Sequence, residues 1–366
     1  MSKILILANN SSGLYIFRNE VVERLLSDGH EVLVSIPDSE HRAELESEGC
    51  RIIHTEMDRR GTNPVHDLKL LKFYKQLLKR EQPDIVLTYT IKPNVYGGYA
   101  CCKLKIPYIS TVTGLGSSFE WTGIKKKMIV TMYKIGLKGC SCVFFQNAAN
   151  KKLFEDLDIK GKDATLVNGS GVNLDKHSFE EYPGHKDDIT RFLYIGRLMR
   201  EKGIDEYLYA AEQMRKKYGD NVSVSVIGYS DEDYEAKLKK AQDEKYLKVI
   251  PFQKNIHPYI READAVVLPS YHEGMSNVLM EAAATGRPVL ASNINGCKET
   301  VNDKVSGLLF EPKNEKSLLS AMEEFYNLST EQRRQMGRAG RDKMEKEFDR
   351  KNIVQAYVSK IEEIVR

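Results

Sequence analysis

One pattern constrains this chain more than any other: a short apolar run, a loop and a helical stretch, repeated several times and then begun afresh halfway along. Lys3–Ala8 is a continuous apolar segment and NNSSG (9–13) reads as a glycine-containing loop. Phe17, Val21, Val22, Leu25 and Leu26 then recur at helical spacing up to Gly29. Glu31–Ile36, Asp84–Tyr89, Pro107–Val112 and Cys142–Gln146 read as further strands, with enough chain between them for crossover helices. Such alternation predicts an α/β fold, a parallel doubly wound sheet with helices on both faces and ligands at the carboxyl ends of its strands. The pattern restarts at Thr190–Ile195, after the polar stretch Glu180–Asp188, which reads as a linker. Asn221–Ile227, Leu247–Pro251, Ala265–Leu268 and Pro288–Ala291 supply the strands of a second unit, with helices over Asp233–Asp243 and Asn277–Thr285. The expectation is two Rossmann-like domains, 1–180 and 189–348. Ile353, Ala356, Tyr357, Ile361 and Ile364 at near-helical spacing predict a terminal helix over 349–366.

Length and composition agree with two domains. At 366 residues, 41% hydrophobic and 29% charged, the chain can bury a core in each half and is neither disordered nor fibrous in character. No window reaches the ~18–20 apolar residues of a membrane span, and the N-terminus runs into a strand without a small-residue cleavage site, so the protein is expected in the cytoplasm. The six cysteines form no C-x-x-C pair and have no histidine at zinc-ligand spacing, and read as reduced, mostly buried thiols. The net charge of +3 conceals an asymmetry. Residues 59–138 hold 15 Lys and Arg against 4 Asp and Glu, a local balance of +11 that leaves −8 for the rest. That region reads either as a solvated basic face or as a surface for something anionic.

Two motifs carry chemistry. Gly196-Arg197 followed by Glu201-Lys202-Gly203 sits where a strand ends and a helix begins, so two cations are held at the mouth of a positive dipole end, as a diphosphate site requires. The second is Ser270-Tyr271-His272-Glu273-Gly274-Met275-Ser276-Asn277-Val278-Leu279-Met280-Glu281-Ala282. Here Gly274 lets the loop turn, Asn277 reads as a helix cap, and the backbone N–H groups of Met275, Ser276 and Asn277 would face a phosphate. Glu281, inside the helix, is placed to accept ribose hydroxyls. Asp231-x-Asp233 reads as helix capping rather than as a chelating pair, and neither a metal nor a cofactor is expected.

GRLMREKG followed about 75 residues later by PSYHEGMSNVLMEAAATGRPVLAS resembles the donor domain of family 4 glycosyltransferases, retaining enzymes of the two-domain GT-B fold. RRGTNPVHDLKLL, Tyr89-x-x-Lys92-Pro93 and Thr113-Gly114-Leu115-Gly116-Ser117 further resemble the bacterial subgroup that adds α-linked hexose or N-acetylhexosamine to polyprenyl-diphosphate-linked glycans. The resemblance implies that the first domain binds the acceptor and the second the nucleotide-sugar donor, the two facing each other across a cleft, with the C-terminal helix 349–366 crossing back to the first. It implies that Arg197 and Lys202, with Gly196 beside them, neutralise the donor diphosphate, that Glu281 binds the ribose and Glu273 the transferred sugar, and that Gly13 lets the backbone approach the reacting centre. Many relatives carry a catalytic histidine where this chain reads Thr111-Val112-Thr113-Gly114, so Thr113 is assigned there by position only. UDP is the implied carrier, with N-acetylgalactosamine or N-acetylglucosamine as the implied sugar, while the loops leave GDP open.

The basic region then acquires a reading. His66–Arg80 is an amphipathic, lysine-rich helix, and Phe119, Trp121 and Ile124 stand beside Lys125-Lys126-Lys127. Aromatic residues next to lysines suit an anionic membrane interface, so peripheral attachment to the inner face of the cell membrane and a lipid-linked saccharide acceptor are expected. A sugar-nucleotide epimerase or phosphorylase on the same plan remains an alternative, as does a non-enzymatic nucleotide- or nucleic-acid-binding protein. The former predicts no basic aromatic patch, and the latter requires stacking platforms in a basic groove; no nucleic-acid partner is assigned.

Overall fold

A computed structural model of the chain describes residues 1–366 except 60, 62, 116–118, 120–121, 186 and 231. Trp121, Gly116, Ser117 and Asp231 therefore lie outside the described residues. The chain forms two compact units, 1–170 with 351–366 and 171–350. In the first, the strands β1 (Lys3–Leu7), β2 (Glu31–Ile36), β3 (Arg51–His54), β4 (Ile85–Tyr89), β5 (Tyr108–Val112), β6 (Cys142–Phe145) and β7 (Ala164–Leu166) form an all-parallel sheet of order β3-β2-β1-β4-β5-β6-β7. Its helices are α1 (Ser11–Ser27), α2 (Arg42–Glu48), α3 (Pro64–Glu81), α4 (Gly98–Leu104), α5 (Gly123–Leu137) and α6 (Ala148–Asp156). Strand side chains alternate between faces, so Ile4 and Ile6 of β1 enter one core and Leu5 and Leu7 the other. The second core lies under α3, α4, α5 and α6, with Tyr74, Cys101, Tyr133 and Phe154 as contributors.

The second unit contains β8 (Thr190–Ile195), β9 (Val222–Gly228), β10 (Lys248–Pro251), β11 (Ala265–Leu268), β12 (Val289–Ser292) and β13 (Gly307–Phe310), again all parallel, in the order β10-β9-β8-β11-β12-β13. Its helices are α7 (Ile204–Tyr218), α8 (Glu235–Asp243), α9 (His257–Glu262), α10 (Asn277–Ala284), α11 (Glu315–Tyr326) and α12 (Thr330–Glu347). The last helix, α13 (Arg350–Val365), returns to the first unit, where Ile353, Tyr357 and Ile361 pack against Ile4, Ile6 and Phe144. Tyr357 stacks on Phe144 at 4.3 Å, and its hydroxyl pairs with Thr111 Oγ1 at 2.7 Å.

Four sequence expectations are corrected. The division falls after residue 170, because 180–188 is not a free linker. The buried Arg287 donates to the carbonyls of Glu180 and Glu181, and Tyr182 donates to Asp264, so the segment is pinned to the second unit. Gly13 is not in a loop, since α1 already begins at Ser11 with Asn10 as its cap and the Gly13 N–H as the cap's donor. The helix at 277 is capped by Ser276, whose Oγ accepts from Leu279 N, and not by Asn277. Phe119 is buried between Tyr133 and Phe154 rather than offered to a membrane.

Candidate active site

In the second sheet β8 pairs with β9 on one side and β11 on the other, which makes the gap between β8 and β11 the point where strand order reverses. Loops leaving the carboxyl ends of strands at such a point diverge and open a crevice for a ligand. The two motifs of the second unit are those loops, 196–203 after β8 and 269–276 after β11.

Each loop is shaped by a glycine that no other residue replaces easily. Arg200–Lys202 forms a single 3-10 turn closed by Gly203 at φ +72°, where a Cβ would stand 2.1 Å from the Pro269 carbonyl oxygen of the neighbouring loop. Gly296, at φ +87°, packs against the backbone of Glu273 and accepts the Ser276 N–H at 2.8 Å. Tyr271 ties the loops together: its N–H donates to Glu201 O at 2.9 Å and its hydroxyl to Glu206 at 2.6 Å. Beneath them the Tyr194 hydroxyl donates to the Arg197 carbonyl at 2.8 Å.

The result is a compact charged cluster. Lys202 Nζ lies 2.6 Å from Glu273 Oε1, and Ser270 Oγ donates to the same oxygen at 2.8 Å. Burial pushes the Tyr194 phenol well up; Glu273 adds to the rise and Arg197 opposes it, which puts both charges within electrostatic range of one ring. Lys202 and Glu273 are thus brought together, with Gly274 in the same loop as Glu273, while Gly196 and Arg197 lie in the first of the two loops, directly after β8. The Met275 side chain is buried with Val172, Met280 and Phe348, and the Ser276 N–H, expected to face a phosphate, is instead taken by the Gly296 carbonyl.

Glu281 occupies a second cluster. Its carboxyl, 7% exposed, lies 3.7 Å from Nε2 of the equally buried His177. Burial raises the carboxyl to about 7, against the opposing pull of Arg350 and Lys176, and lowers the imidazole to about 3. Burial thus favours the neutral form of both groups over a fixed ion pair. His177 in turn meets the His257 ring edge-on at 6.0 Å, and His257 Nε2 is 3.3 Å from Glu180. Ser270 and His177 are the site residues that sequence reasoning missed. The first had a signal, a hydroxyl three residues before a glutamate in a turn; the second had none.

The remaining two assignments belong to the first unit. Thr113 directly follows β5, half-buried, and Gly13 lies in the first turn of α1 after β1. Both are at carboxyl ends of strands, the edge where a doubly wound sheet binds ligands. Among the described residues there is no group of three or more His, Cys, Asp or Glu arranged to hold a metal ion, and no helix long and apolar enough to cross a membrane.

Comparison with known proteins agrees with this architecture. A family model described as "Glycosyl transferase 4-like" matches residues 3–147, and one described as "Glycosyl transferases group 1" matches 175–343. A similar curated protein is the N,N'-diacetylbacillosaminyl-diphospho-undecaprenol alpha-1,3-N-acetylgalactosaminyltransferase of Campylobacter jejuni, 26% identical, with 85% of this chain and 86% of that one aligned. Another is the UDP-Gal:alpha-D-GlcNAc-diphosphoundecaprenol alpha-1,3-galactosyltransferase of Escherichia coli, 28% identical over 72% and 71% of the two chains. Among solved structures, Anabaena HepE in complex with UDP-glucose superposes with a TM-score of 0.80 at 18% identity, covering 99% of this chain and 100% of that one, a likeness of fold. With one family model on each half of the chain and the same two-unit architecture in solved relatives, the chain belongs to the group 1 and 4-like glycosyltransferases and is a glycosyltransferase of the GT-B fold.

Proposed function

We propose that this glycosyltransferase moves a hexose or N-acetylhexosamine, with N-acetylgalactosamine or N-acetylglucosamine as our choice, from a UDP-sugar to a saccharide carried on a polyprenyl diphosphate, with retention of the α configuration. The observation that carries the reading is the Lys202–Glu273–Ser270 cluster, formed by two loops of which the first also holds Arg197, at the point of strand reversal. Names of the similar proteins from Campylobacter and Escherichia support the acceptor class, and the UDP bound in the HepE structures supports the carrier.

In this reading the bond between the anomeric carbon and the β-phosphate oxygen breaks, and negative charge grows on the diphosphate. Arg197 and Lys202 are fixed where that charge develops, so they stabilise the transition state more than the ground state. Glu273, shared between Lys202 and Ser270, accepts from hydroxyls of the sugar and sets its orientation. The acceptor oxygen attacks C1 from the face that the phosphate leaves, and the acceptor proton passes to the departing phosphate oxygen, so products are UDP and an α-glycoside. With two cations meeting the diphosphate, turnover should persist in excess chelator. Arg197→Ala and Lys202→Ala should each lower turnover about a hundredfold or more without altering the fold, measured as UDP release with a short-chain lipid-linked acceptor. Wild-type turnover in both variants refutes the assignment.

Attachment to an anionic membrane is the second part of the proposal. Helix α4 packs between α3 and α5, and these helices present Lys69, Lys72, Lys79, Lys103, Lys125, Lys127 and Lys134 to solvent. Their two carboxylates are both engaged, Asp67 with Lys92 and the buried Glu81 with Arg51 and Arg80, which hold it down to about 2. Exposed Val65 and Leu68 on α3 and Ile124, Met128 and Ile135 on α5 stand among those lysines, a cationic surface with apolar teeth suited to the headgroup region.

A further inference from the structure

Two stretches singled out in the sequence, RRGTNPVHDLKLL and Tyr89-x-x-Lys92-Pro93, have no part in the donor site, yet the fold joins them. Asp67 comes from the first and Lys92 from the second; they form an ion pair at 2.7 Å with side chains 14% and 13% exposed. The Tyr96 hydroxyl donates to the other oxygen of Asp67 at 2.8 Å. This half-buried pair is in the wall of an open-mouthed cavity of about 600 Å³ between the loop after β3, the first half of α3 and the loop after β4. The cavity thus lies at the carboxyl edge of the first unit's sheet, among the segments that follow β3 and β4.

We infer that this cavity is the saccharide subsite of the acceptor, and that Asp67, Lys92, Glu56 and His66 select the sugar to be extended. The inference rests on the transferase reading above and assigns the half of the reaction that the donor cluster leaves open.

The lining decides between the two parts of a lipid-linked acceptor. Asp67 and Lys92 neutralise each other, which leaves two carboxylates, Glu56 and Asp58, one lysine, Lys69, and two histidines, His54 and His66, around the space. That lining has no excess of cations to hold a diphosphate, whereas vicinal sugar hydroxyls donate to carboxylates and accept from an ammonium group or an imidazole. Phe73, Leu70 and Met57 supply the apolar wall that the C–H face of a pyranose covers. The position fits as well: α3, which walls the cavity, also carries the exposed Val65 and Leu68 of the proposed membrane surface, so a sugar displayed one diphosphate away from a bilayer is within reach of the same helix.

The test uses the full-length protein, a short-chain polyprenyl-diphosphate N-acetylhexosamine as acceptor, and the same polyprenyl diphosphate without sugar as competitor. Glu56→Gln and His66→Ala change exposed side chains, and the double variant Asp67→Asn with Lys92→Met removes both charges of the half-buried pair together, so neither is left unpaired. Each should raise the acceptor KM about tenfold or more, leave UDP affinity and slow hydrolysis of the UDP-sugar unchanged, and leave inhibition by the sugar-free diphosphate unchanged. An unaltered acceptor KM in all three overturns the subsite while the transferase reading stands. Equal weakening of the sugar-free competitor overturns the saccharide assignment in favour of the diphosphate. Absence of transfer by the wild type from any UDP-hexose or UDP-N-acetylhexosamine to that acceptor overturns the transferase reading itself, and the subsite with it.

Discussion

The two glutamates of the donor unit have different surroundings and should respond differently to the same substitution. Glu273 is tied to Lys202 and Ser270, so Glu273→Gln leaves the cation in place for phosphate while removing the acceptor for sugar hydroxyls. Turnover should fall about a hundredfold, with UDP binding by calorimetry no weaker than in the wild type; a matching loss of UDP affinity would reassign Glu273 to the nucleotide. Glu281 should instead show itself through pH. Burial lifts its carboxyl from an ordinary 4.5 to about 7, so between those values the folded chain holds a proton that the unfolded chain has released. That contribution to stability is complete below about 4.5 and is lost as the pH rises through about 7. Glu281→Gln should therefore flatten the decline in stability between pH 5 and 8, by at most about 3 kcal/mol at 1.36 kcal/mol per pKa unit. If ribose hydroxyls donate to the carboxylate, wild-type affinity for UDP should rise from pH 6 to 8 and the Gln variant should show no such rise; a flat wild-type profile discards the ribose role. That Arg197, Lys202 and Glu273 lie in loops and Glu281 in a helix was legible in the sequence, because a strand, a turn and a helix set those places; their roles were implied by the resemblance. His177 was not legible, since its partner in α10 lies a hundred positions downstream and only tertiary packing introduces them.

At the scale of elements, strands buried on both faces declared themselves, and of the four edge strands only Lys248–Pro251 did. Glu31–Ile36, Thr190–Ile195 and Ala265–Leu268 are mostly apolar, largely buried segments whose limits were read to the residue. Arg51–His54 and Ala164–Leu166, at the two margins of the first sheet, are short and half exposed, and their pairing is a property of their neighbours more than of their own residues. Gly307–Phe310 is likewise a margin strand, and its leading glycine carries no strand signal. The junction between the 3-10 turn at Arg200–Lys202 and α7 supplies the prediction for this scale. Gly203→Ala adds about 1 kcal/mol for a left-handed backbone and drives a methyl group into the Pro269 carbonyl, which cannot retreat without moving the loop that carries Glu273. Denaturant unfolding should show a loss exceeding about 2 kcal/mol, and turnover should fall further than the fraction of folded protein does. A variant that is destabilised yet fully active per folded molecule would mean that the two loops need not touch for catalysis.

For the whole molecule, the governing fact is where the charge lies. A chain with a net charge of +3 concentrates +11 in residues 59–138, and the fold gathers most of that excess onto α3, α4 and α5 on one side of one sheet. The composition of the segment was plain in the sequence, but not which apolar residues share its surface. Phe119 turned inward to Tyr133 and Phe154, while Val65 and Leu68 of α3 and Ile124, Met128 and Ile135 of α5 are exposed, the last three beside Lys127 and Lys134. Lys126 is best left alone in any test, because its ammonium group donates to the Phe119 carbonyl at 2.9 Å and serves the fold. Replacing Lys125, Lys127 and Lys134 by Gln removes three cations worth about 1 kcal/mol each near an anionic leaflet, and so should weaken binding to phosphatidylserine-containing vesicles about a hundredfold. Ile124→Ser with Met128→Ser should weaken binding to the same vesicles without altering its dependence on salt, because insertion of apolar side chains is not screened. Raising salt should mimic the lysine variant alone, since the Debye length shrinks to about 3 Å at 1 M. Transfer to a vesicle-embedded acceptor should slow in both variants, while hydrolysis of the UDP-sugar in solution stays at the wild-type rate. If wild-type protein ignores anionic vesicles at low salt, the lysines are a solvated face and the acceptor reaches the enzyme from solution.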